Sequence, residues 1–483
     1  MAAKDFIVAI ELGSSKMTGI AGRKNLDGSI NVLAVVREDS SSFIHKGVIY
    51  NSDKTALCLT NIVNKLTAQL KTKITQVYVG VGGQSIRSVR NVIARDLPSD
   101  TKVTQEMVIE IMDENGNWRY PDQEILDVAT QEYKVDSQMQ TDPVGIQCSH
   151  IEGNFLNILE RKAFYNNLNK CFKAAGINVA EMYLAPLALA DSVLTEAERR
   201  SGCALVDIGA DTTTVSVYSK NLLRHLAVIP LGSANITKDI ASLNMEESDA
   251  EKMKLKYACA YTENNEIDNT MKLSIDGERQ VEVRKFIEIV EGRLEEIIEN
   301  VWCQIPSDYY DKLLGGIILT GGGSNMKNIE KAFVNHTHID KIRTAKFVNH
   351  TVISTNSDIN AKNGMMNTVL GLLAKGDMNC AGEEVDPNDL FGGNQEGRPM
   401  TNDPGPKTPR QPSEKPESVV LTEDEKQAAK EEARRKKEEE ERIAREKKEE
   451  EERRLEEERR ANSPFNKALK WFKKAANKLA EPE

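Results

Sequence analysis

The sequence has little cysteine, no long apolar run and no excess of positive charge. Its seven cysteines are odd in number and never spaced as CxxC, which argues against a disulfide framework or a zinc site. No segment approaches the ~20 apolar residues of a membrane-spanning helix, and the first residues turn acidic too early for a secretory signal. We therefore expect a cytoplasmic protein that reaches a membrane only from the cytoplasmic side.

Acidic residues outnumber basic ones: the chain has 75 Asp and Glu residues and 64 Lys and Arg residues, for a net charge of −11. This balance argues against nucleic acid as a partner.

The hydrophobic fraction of 39% is also low, and the deficit lies mostly in the last hundred residues. Seven of the 15 prolines fall within 387–416, so we predict a disordered, Pro-rich linker over 377–422. Residues 423–462 are almost entirely Glu, Lys, Arg and Ala, and form either a salt-bridged helix or a charged coil.

Residues 463–483 end the chain with an amphipathic helical pattern. One face collects Phe465, Ala468, Leu469, Phe472, Ala475, Ala476 and Leu479, with Trp471 at its border, and the other collects Lys467, Lys470, Lys473, Lys474 and Lys478. Such a helix can bury its aromatic face among lipids while its lysines meet anionic headgroups. The alternative is a helix that docks on a partner or on the globular body. We favour the membrane, because lysines beside Trp and two Phe suit a lipid surface better than a core.

The body of the chain, up to about residue 376, alternates β-rich apolar runs with helical patterns. Predicted strands are Phe6–Ile10, Val77–Val81, Ala204–Ile208, Val215–Tyr218 and Ile317–Thr320, and predicted helices are Lys54–Leu70, Arg161–Ala175, Val283–Val301 and Met326–Val334. This alternation predicts an α/β fold.

Three glycine-containing segments suit phosphate binding. The first is a strand, a tight turn at Gly13-Ser14-Ser15-Lys16 and a second strand, whose backbone amides, hydroxyls and lysine can donate to phosphate oxygens. Glu11, just before this turn, could hold a hydrated Mg²⁺. The second segment, Ala204–Val215, repeats the strand–turn–strand pattern with Asp207 opening the turn. The third is a strand that runs through Gly321-Gly322-Gly323 into a helix, whose N-terminus would face a nucleotide.

Together the three segments resemble the phosphate 1, phosphate 2 and adenosine motifs of the actin/Hsp70/sugar-kinase superfamily. Within it, Leu126–Asp136 and Asp142–Gly145 are similar to a signature in the inserted subdomain of the FtsA family of bacterial cell-division proteins. The implied fold is an actin-like two-lobed ATPase fold with an inserted small α/β subdomain of the SHS2 type. Its first lobe would comprise 1–84, 161–202 and about 355–376, the inserted subdomain 85–160, and the second lobe 203–354.

The resemblance implies an ATP site with Mg²⁺. By position, Gly13, Ser14, Ser15 and Lys16 would cradle the phosphates on one side, and Asp207, Gly209 and Thr212 on the other. Gly321, Gly322 and Gly323 would flank the adenine, Glu251 and Lys254 would contact the ribose or base, and Glu11 and Asp207 would hold Mg²⁺ through water. For Glu251 and Lys254 an ordinary exposed helix face is the competing interpretation.

Two departures from the family pattern affect this site. Asp211 stands in the second turn where glycine is commoner, and its charge would lie near the phosphates. Residues 185–190 read Ala-Pro-Leu-Ala-Leu-Ala, where efficient ATPases of the superfamily place a Gln or Glu that positions water. We therefore expect slow ATP hydrolysis or none.

The resemblance also implies a function: an adaptor that anchors the ring of the tubulin-like protein FtsZ to the cytoplasmic membrane at the division septum. Its expected partners are the FtsZ C-terminal tail, other copies of itself in filaments, anionic lipids and later division proteins. Two alternatives remain open from the residues, namely an actin-like pilus-assembly adaptor and a sugar- or acetate-kinase-like phosphotransferase.

Overall fold

The computed structural model describes residues 5–384 apart from 265–266, 268–269 and 275–279. The chain divides into two units, 1–391 and 392–483, and the second lies wholly outside the described residues. Most of the predicted linker, the charged stretch 423–462 and the amphipathic segment 463–483 are therefore outside the described residues. No helix within the described part is long and apolar enough to cross a membrane.

Strands and helices alternate along the described chain. The first lobe begins with β1 (Ile7–Leu12), β2 (Lys16–Lys24), β3 (Ile30–Asp39), β4 (Ile44–His45), β5 (Val48–Ile49), α1 (Ser52–Leu70), β6 (Thr72–Ile74) and β7 (Val77–Val81). The inserted subdomain contains β8 (Arg87–Lys102), α2 (Gln105–Gly116), β9 (Gln123–Val135), β10 (Gln138–Gln140) and β11 (Gln147–Arg161). The chain returns to the first lobe through α3 (Lys162–Ala174), β12 (Val179–Leu184), α4 (Ala185–Val193) and α5 (Glu196–Ser201).

The second lobe follows, and the chain then ends on the first lobe. The second lobe contains β13 (Cys203–Ile208), β14 (Thr213–Ser219), β15 (Leu222–Ile229), α6 (Ser233–Ala241), α7 (Glu247–Tyr257), β16 (Lys272–Ser274), β17 (Gln280–Glu282), α8 (Val283–Gln304), β18 (Gly316–Thr320), α9 (Ile329–Thr337) and β19 (Ile342–Thr344). The last elements are β20 (Val352–Ile353), α10 (Ser357–Asn360), α11 (Asn367–Lys375) and β21 (Ala381–Glu384). The α/β prediction is confirmed.

Two sheets organise these elements. The first lobe has a six-stranded sheet in the order β12-β7-β1-β2-β3-β20, in which β1, β2 and β3 form an antiparallel meander and β7 runs parallel to β1. Because β20 pairs with β3, the chain is back on the first lobe by Val352. The helices α4 and α11 pack against each other so closely that a side chain at Gly371 would meet the carbonyl oxygen of Ala188 at 2.5 Å.

The second sheet is continuous across two parts of the molecule. Its nine strands follow the order β10-β9-β11-β8-β15-β14-β13-β18-β19, and the junction is the pair Ala227↔Arg87 between β15 and β8. The inserted subdomain, which interrupts the first lobe in sequence, therefore extends the sheet of the second lobe. It also has a small core of its own, built around Ile111, Tyr133 and Phe155.

An ion pair reinforces this junction. Arg224 on β15 is buried and donates to the carboxylate of Glu132 on β9 at 2.8 Å and to the amide oxygen of Gln131 at 2.9 Å. The bond from Arg224 is the main cause that lowers the pKa of Glu132, and Lys220 binds the same carboxylate at 3.0 Å. The inserted subdomain is thus fastened to the second lobe by side chains as well as by the sheet.

We expect Arg224→Met to lower the free energy of unfolding by about 2–4 kcal/mol, because it leaves a largely buried carboxylate with one exposed partner. Lys220→Met is the matched control: Lys220 binds the same Glu132 but its side chain is 72% exposed. Its loss should cost only about 0.5 kcal/mol. Urea unfolding of the full chain measures both changes. Equal losses of stability in the two variants would contradict the prediction that the buried Arg224 stabilises Glu132 more than the exposed Lys220 does.

The predicted elements are present, the strand Val77–Val81 with the predicted bounds and the others with shifted ends, and one shift affects the site. The helix predicted from Met326 begins at Ile329, because Gly322–Asn325 forms a 3₁₀ turn first. Asn328 precedes the helix with a left-handed φ of 61°, a conformation that an α-helix excludes. The prediction of a strand running directly into a helix is therefore wrong.

The predicted start of the linker at Asp377 also needs correction. The Tyr78 hydroxyl donates to the Asp377 carboxylate at 2.8 Å and accepts from the Asp377 amide at 3.0 Å. The Cys380 side chain is fully buried, its amide donates to the Phe6 carbonyl at 2.8 Å, and β21 pairs with β6. Residues 377–384 therefore belong to the first lobe, because hydrogen bonds to distant residues hold a segment whose composition looks like linker.

Candidate functional site

The two predicted hairpin turns are closed by the same type of backbone hydrogen bond. The Gly13 amide donates to the Lys16 carbonyl at 3.1 Å, and the Gly209 amide donates to the Thr212 carbonyl at 2.8 Å. A β-carbon at Gly13 would lie 2.6 Å from the Lys16 oxygen, so the first turn cannot close around a side chain. Each turn leads from the strand that carries an acid, β1 or β13, into its antiparallel neighbour.

The acids of these two strands, Glu11 and Asp207, influence each other's site, because the charge of Asp207 acts on Glu11 across the lobes. Burial raises the pKa of Glu11 to about 8, with the Asp207 charge as the second cause, while a hydrogen bond to Thr368 and the charge of Arg37 lower it. Burial raises the pKa of Asp207 to about 6. Both residues are half-buried, and neighbouring carboxylates that are partly shielded from water accept a proton or a cation readily. No group of three or more His, Cys, Asp or Glu residues in the described part forms a closed metal cage.

These residues fit Mg²⁺. This ion keeps several waters and is held in nucleotide sites by one or two carboxylates together with substrate phosphates. Glu11 and Asp207 supply the carboxylates, and the turns beside them supply backbone amides for phosphate. The sequence placed both acids at the site, but their mutual approach is visible only in the structure.

The glycine-rich turn lies against Asp207. Gly321 has a φ of 83°, and a β-carbon there would be 2.3 Å from Asp207 Oδ1 and 2.6 Å from the Ile208 carbonyl oxygen. A β-carbon at Gly323 would meet Ile208 Cγ2 at 2.3 Å, whereas at Gly322 the nearest atom, Met365 Sδ, is 3.6 Å away. Gly322 is therefore the open position of the three, with room for a flat ring to approach its backbone.

Glu251 and Lys254 on α7 are engaged with the protein and with each other. Lys254 is buried, and its Nζ contacts the Ser233 carbonyl at 3.0 Å, the Thr237 hydroxyl at 2.8 Å and the Glu251 carboxylate at 2.7 Å. The Thr237 hydroxyl donates to Glu251 Oε2 at 2.5 Å. With three oxygens around Nζ, Lys254 positions Glu251, and the Glu251 carboxylate is the more exposed group of the pair.

Lys16, the last residue of the first turn, lies at the edge of a pocket. It is exposed and lines an open pocket of about 280 Å³ together with Arg37, Glu38, Asp39 and Asp358. Arg37 pairs with Asp358 at 3.1 Å. The charge of Arg37 also lowers the pKa of Glu11, so the pocket beside the first turn is lined by two cations, one of which acts on Glu11.

Sequence reasoning missed several residues of the site. The Ser40 hydroxyl is buried and donates to the Gly13 carbonyl at 2.7 Å, which fixes the first turn. Asn367, at the start of α11, donates to the Thr320 hydroxyl at 3.1 Å and to the Ala345 carbonyl at 2.8 Å. Its Oδ1 is buried with no hydrogen-bond partner among the described residues. No motif marks these positions, because each acts through contacts with residues far away in the chain.

The two departures from the family pattern have clear positions. Asp211, in the second turn, accepts a hydrogen bond from the Lys46 amide of the first lobe at 3.1 Å. The stretch Ala185-Pro186 begins α4, and its N-terminal turn carries only apolar side chains. No acid or amide side chain is therefore supplied from this turn to orient water.

Comparison with known proteins decides the family. A sequence family described as "Cell division protein FtsA" matches residues 204–371, and one described as "SHS2 domain inserted in FTSA" matches 83–159. The chain is 31% identical over 326 residues to "Cell division protein FtsA" of Porphyromonas gingivalis, covering 66% of this chain and 68% of the relative. This chain belongs to the FtsA family. It is 30% identical over 330 residues to the protein of the same name from Pseudomonas aeruginosa, covering 66% of this chain and 78% of the relative.

A solved structure bears on the fold of this FtsA family member. The "PilM-PilN type IV pilus biogenesis complex" matches with a TM-score of 0.53 at 14% identity, covering 76% of this chain and 97% of that chain. At this identity the likeness shows the fold alone. The predicted actin-like ATPase fold with an SHS2 insertion is confirmed, and family membership sets aside the pilus-assembly and phosphotransferase alternatives.

Proposed function

We propose that this FtsA family protein is an ATP-binding adaptor that anchors the FtsZ ring to the cytoplasmic face of the inner membrane at the division septum. The observation that supports it most is the carboxylate pair Glu11–Asp207, set between two phosphate-type turns in a chain of this family. The globular body binds nucleotide and associates with copies of itself and with FtsZ. The C-terminal segment binds lipid.

The nucleotide lies between the two hairpin turns. The amides and hydroxyls of Gly13, Ser14 and Ser15 bind phosphate oxygens from the first lobe, and those of Gly209 and Thr212 bind them from the second. Lys16 adds charge at the pocket edge. Mg²⁺ would neutralise phosphate charge when bound, and Glu11 and Asp207 are the residues that would hold it through its waters.

The base and ribose lie on the second lobe. Gly322, the open glycine of the turn, receives the adenine ring between Gly321 and Gly323. Glu251, held in place by Lys254 and Thr237, accepts hydrogen bonds from the ribose hydroxyls. Because the first turn of α4 carries only apolar side chains, bound ATP acts as a conformational ligand that is hydrolysed slowly. A turnover near the ~1–100 s⁻¹ of kinases would contradict this proposal.

The C-terminal segment supplies the membrane contact. Its apolar residues Phe465, Leu469, Trp471, Phe472 and Leu479 enter the lipid boundary, and Lys467, Lys470, Lys473 and Lys474 meet anionic headgroups. One such helix binds weakly, so self-association into filaments raises the affinity by presenting many helices at once. The second lobe binds the FtsZ C-terminal tail, and the inserted subdomain takes part in self-association and in recruiting later division proteins.

Flotation with anionic vesicles and purified FtsZ tests the proposal. We expect the full chain to carry FtsZ up with the vesicles, whereas W471E/F472E and a chain ending at Asn462 stay at the bottom. The exchanged variant W471F/F472W is the control, because it keeps two aromatic residues at the same positions and should float normally. All variants should melt at the same temperature as the parent chain.

Two results would count against the membrane assignment. If neither the full chain nor its variants float, the C-terminal helix docks on protein instead. If W471E/F472E is released but also melts at a lower temperature, the helix is part of the folded body. If the full chain floats but the added FtsZ stays at the bottom, the lipid contact is supported and FtsZ is not a partner.

A further inference from the structure

The turn between β4 and β5 presents two adjacent backbone amides at the phosphate turns. Lys46 and Gly47, its two central residues, have positive φ angles of 52° and 72°. Both angles are typical of a type I′ turn, in which a lysine at the first central position is uncommon. This conformation makes neighbouring N–H groups available to anions and other acceptors.

Each of these amides binds a side chain from a different phosphate turn. The Lys46 amide donates to Asp211 Oδ2 of the second lobe at 3.1 Å. The Gly47 amide donates to the Ser14 hydroxyl of the first lobe at 2.9 Å. The Lys46–Gly47 turn therefore bridges the two turns between which the phosphates would lie, and the group on its second-lobe side is a carboxylate.

The donor pair is held rigidly from behind. The Gln84 amide donates to the Lys46 carbonyl at 3.0 Å. Gly47 packs against Gly83 so closely that a β-carbon on Gly47 would lie 2.6 Å from the Gly83 α-carbon. Donors fixed in this way lose little entropy when an anion binds.

We propose that the Lys46–Gly47 turn receives the terminal phosphate of a bound nucleoside triphosphate, and that the Asp211 carboxylate occupies this place until the phosphate displaces it. This inference rests on the proposed nucleotide site. A phosphate carries more charge than a carboxylate and has more oxygens to share between the two amides. Asp211 is half-buried in a surface turn and can rotate toward solvent. A diphosphate has one phosphate fewer and leaves Asp211 in place.

Asp211 then determines how strongly the site distinguishes a triphosphate from a diphosphate. Calorimetric titration of the full chain with ATP–Mg²⁺ and with ADP–Mg²⁺ measures this. We expect Asp211→Asn and Asp211→Ala to tighten ATP binding by about tenfold and ADP binding by less than about threefold, because they remove a negative charge beside the terminal phosphate. The Asn variant keeps the size of the side chain, so it remains informative if the Ala variant folds poorly.

The control is Asp311→Asn, which makes the same change in net charge. Asp311 is exposed and lies at the opposite end of β13 from Asp211. Its turn, Ser307–Lys312, contacts Gly202 just before β13 begins, whereas Asp211 follows the end of the strand. Asp311→Asn should leave the affinities for ATP and for ADP unchanged. Equal tightening of ATP and ADP, no change, or weaker ATP binding in the Asp211 variants would overturn the inference while leaving the nucleotide site standing. If the parent chain and every variant bind neither nucleotide, the proposed function itself fails.

Discussion

Gly321→Ala should lower the free energy of unfolding by about 3–5 kcal/mol and abolish nucleotide binding. The backbone at Gly321 has φ 83° and ψ 173°, a region that is open almost only to glycine. A methyl group there would also meet Asp207 Oδ1 at 2.3 Å and the Ile208 carbonyl oxygen at 2.6 Å. The backbone that carries both residues cannot retreat easily, because β13 is paired with β14 on one side and with β18 on the other.

Gly28→Ala is the matched control for this prediction. Gly28 has a similar φ of 80°, but nothing lies within 4 Å of a β-carbon built there. Its cost should be only that of the left-handed backbone, about 1 kcal/mol, with nucleotide affinity unchanged. Urea unfolding and ATP titration of the full chain measure both variants. Equal losses for the two would mean that the contact with Asp207 contributes nothing.

Glu11→Gln should stabilise the ligand-free protein at alkaline pH. The pKa of Glu11 is raised to about 8, so the folded state binds more protons than the unfolded state between the ordinary value and that pH. The stability of the parent chain therefore falls as pH rises through this window, and the loss is complete above it. We expect Glu11→Gln to gain about 2–4 kcal/mol at about pH 8.5 and almost nothing at about pH 4.5.

Binding of ATP–Mg²⁺ should offset the advantage in stability that Glu11→Gln has over the parent chain at alkaline pH. A bound cation stabilises the ionised Glu11, so ATP–Mg²⁺ should raise the melting temperature of the parent chain at alkaline pH and that of Glu11→Gln much less. Thermal melts with and without ATP–Mg²⁺ test it. If Glu11→Gln is destabilised equally at all pH values, the Glu11 side chain has a structural role and burial does not raise its pKa in the folded protein.

Glu198→Gln provides a control of opposite sign. Burial would raise the pKa of Glu198, but hydrogen bonds from Arg343 and Thr195 outweigh it and lower the pKa to about 2. The Glu198 charge therefore stabilises the fold above its ordinary pKa, and this contribution is lost as the pH falls toward the lowered value. Its removal should destabilise the protein at neutral and alkaline pH, where Glu11→Gln stabilises it.

Sequence reasoning succeeded where structure is decided within about ten neighbouring residues. The turns at Gly13 and Gly209 close on the residue three positions later, so their glycines and flanking apolar strands predict the hairpins directly. The α/β class and the family signature in the inserted subdomain follow from similar local patterns. The predicted start of α9 is wrong because Asn adopts either a helical or a left-handed backbone, so the residue type at 328 does not decide its φ of 61°.

The sequence by itself determined which residues are available: the acids Glu11 and Asp207, the glycine turns and the amphipathic C-terminal pattern. Tertiary structure alone decided which of them meet. Only the folded lobes bury Glu11 and bring the charge of Asp207 to act on it, and these two causes, burial first, raise the pKa of Glu11 to about 8. Only the packing of β4 and β5 places the Lys46 amide on Asp211, and only tertiary contacts, namely the β15–β8 pairing and the Arg224–Glu132 ion pair, join the inserted subdomain to the second lobe. These contacts join residues far apart in the chain through space, so local periodicity and spacing carry no trace of them.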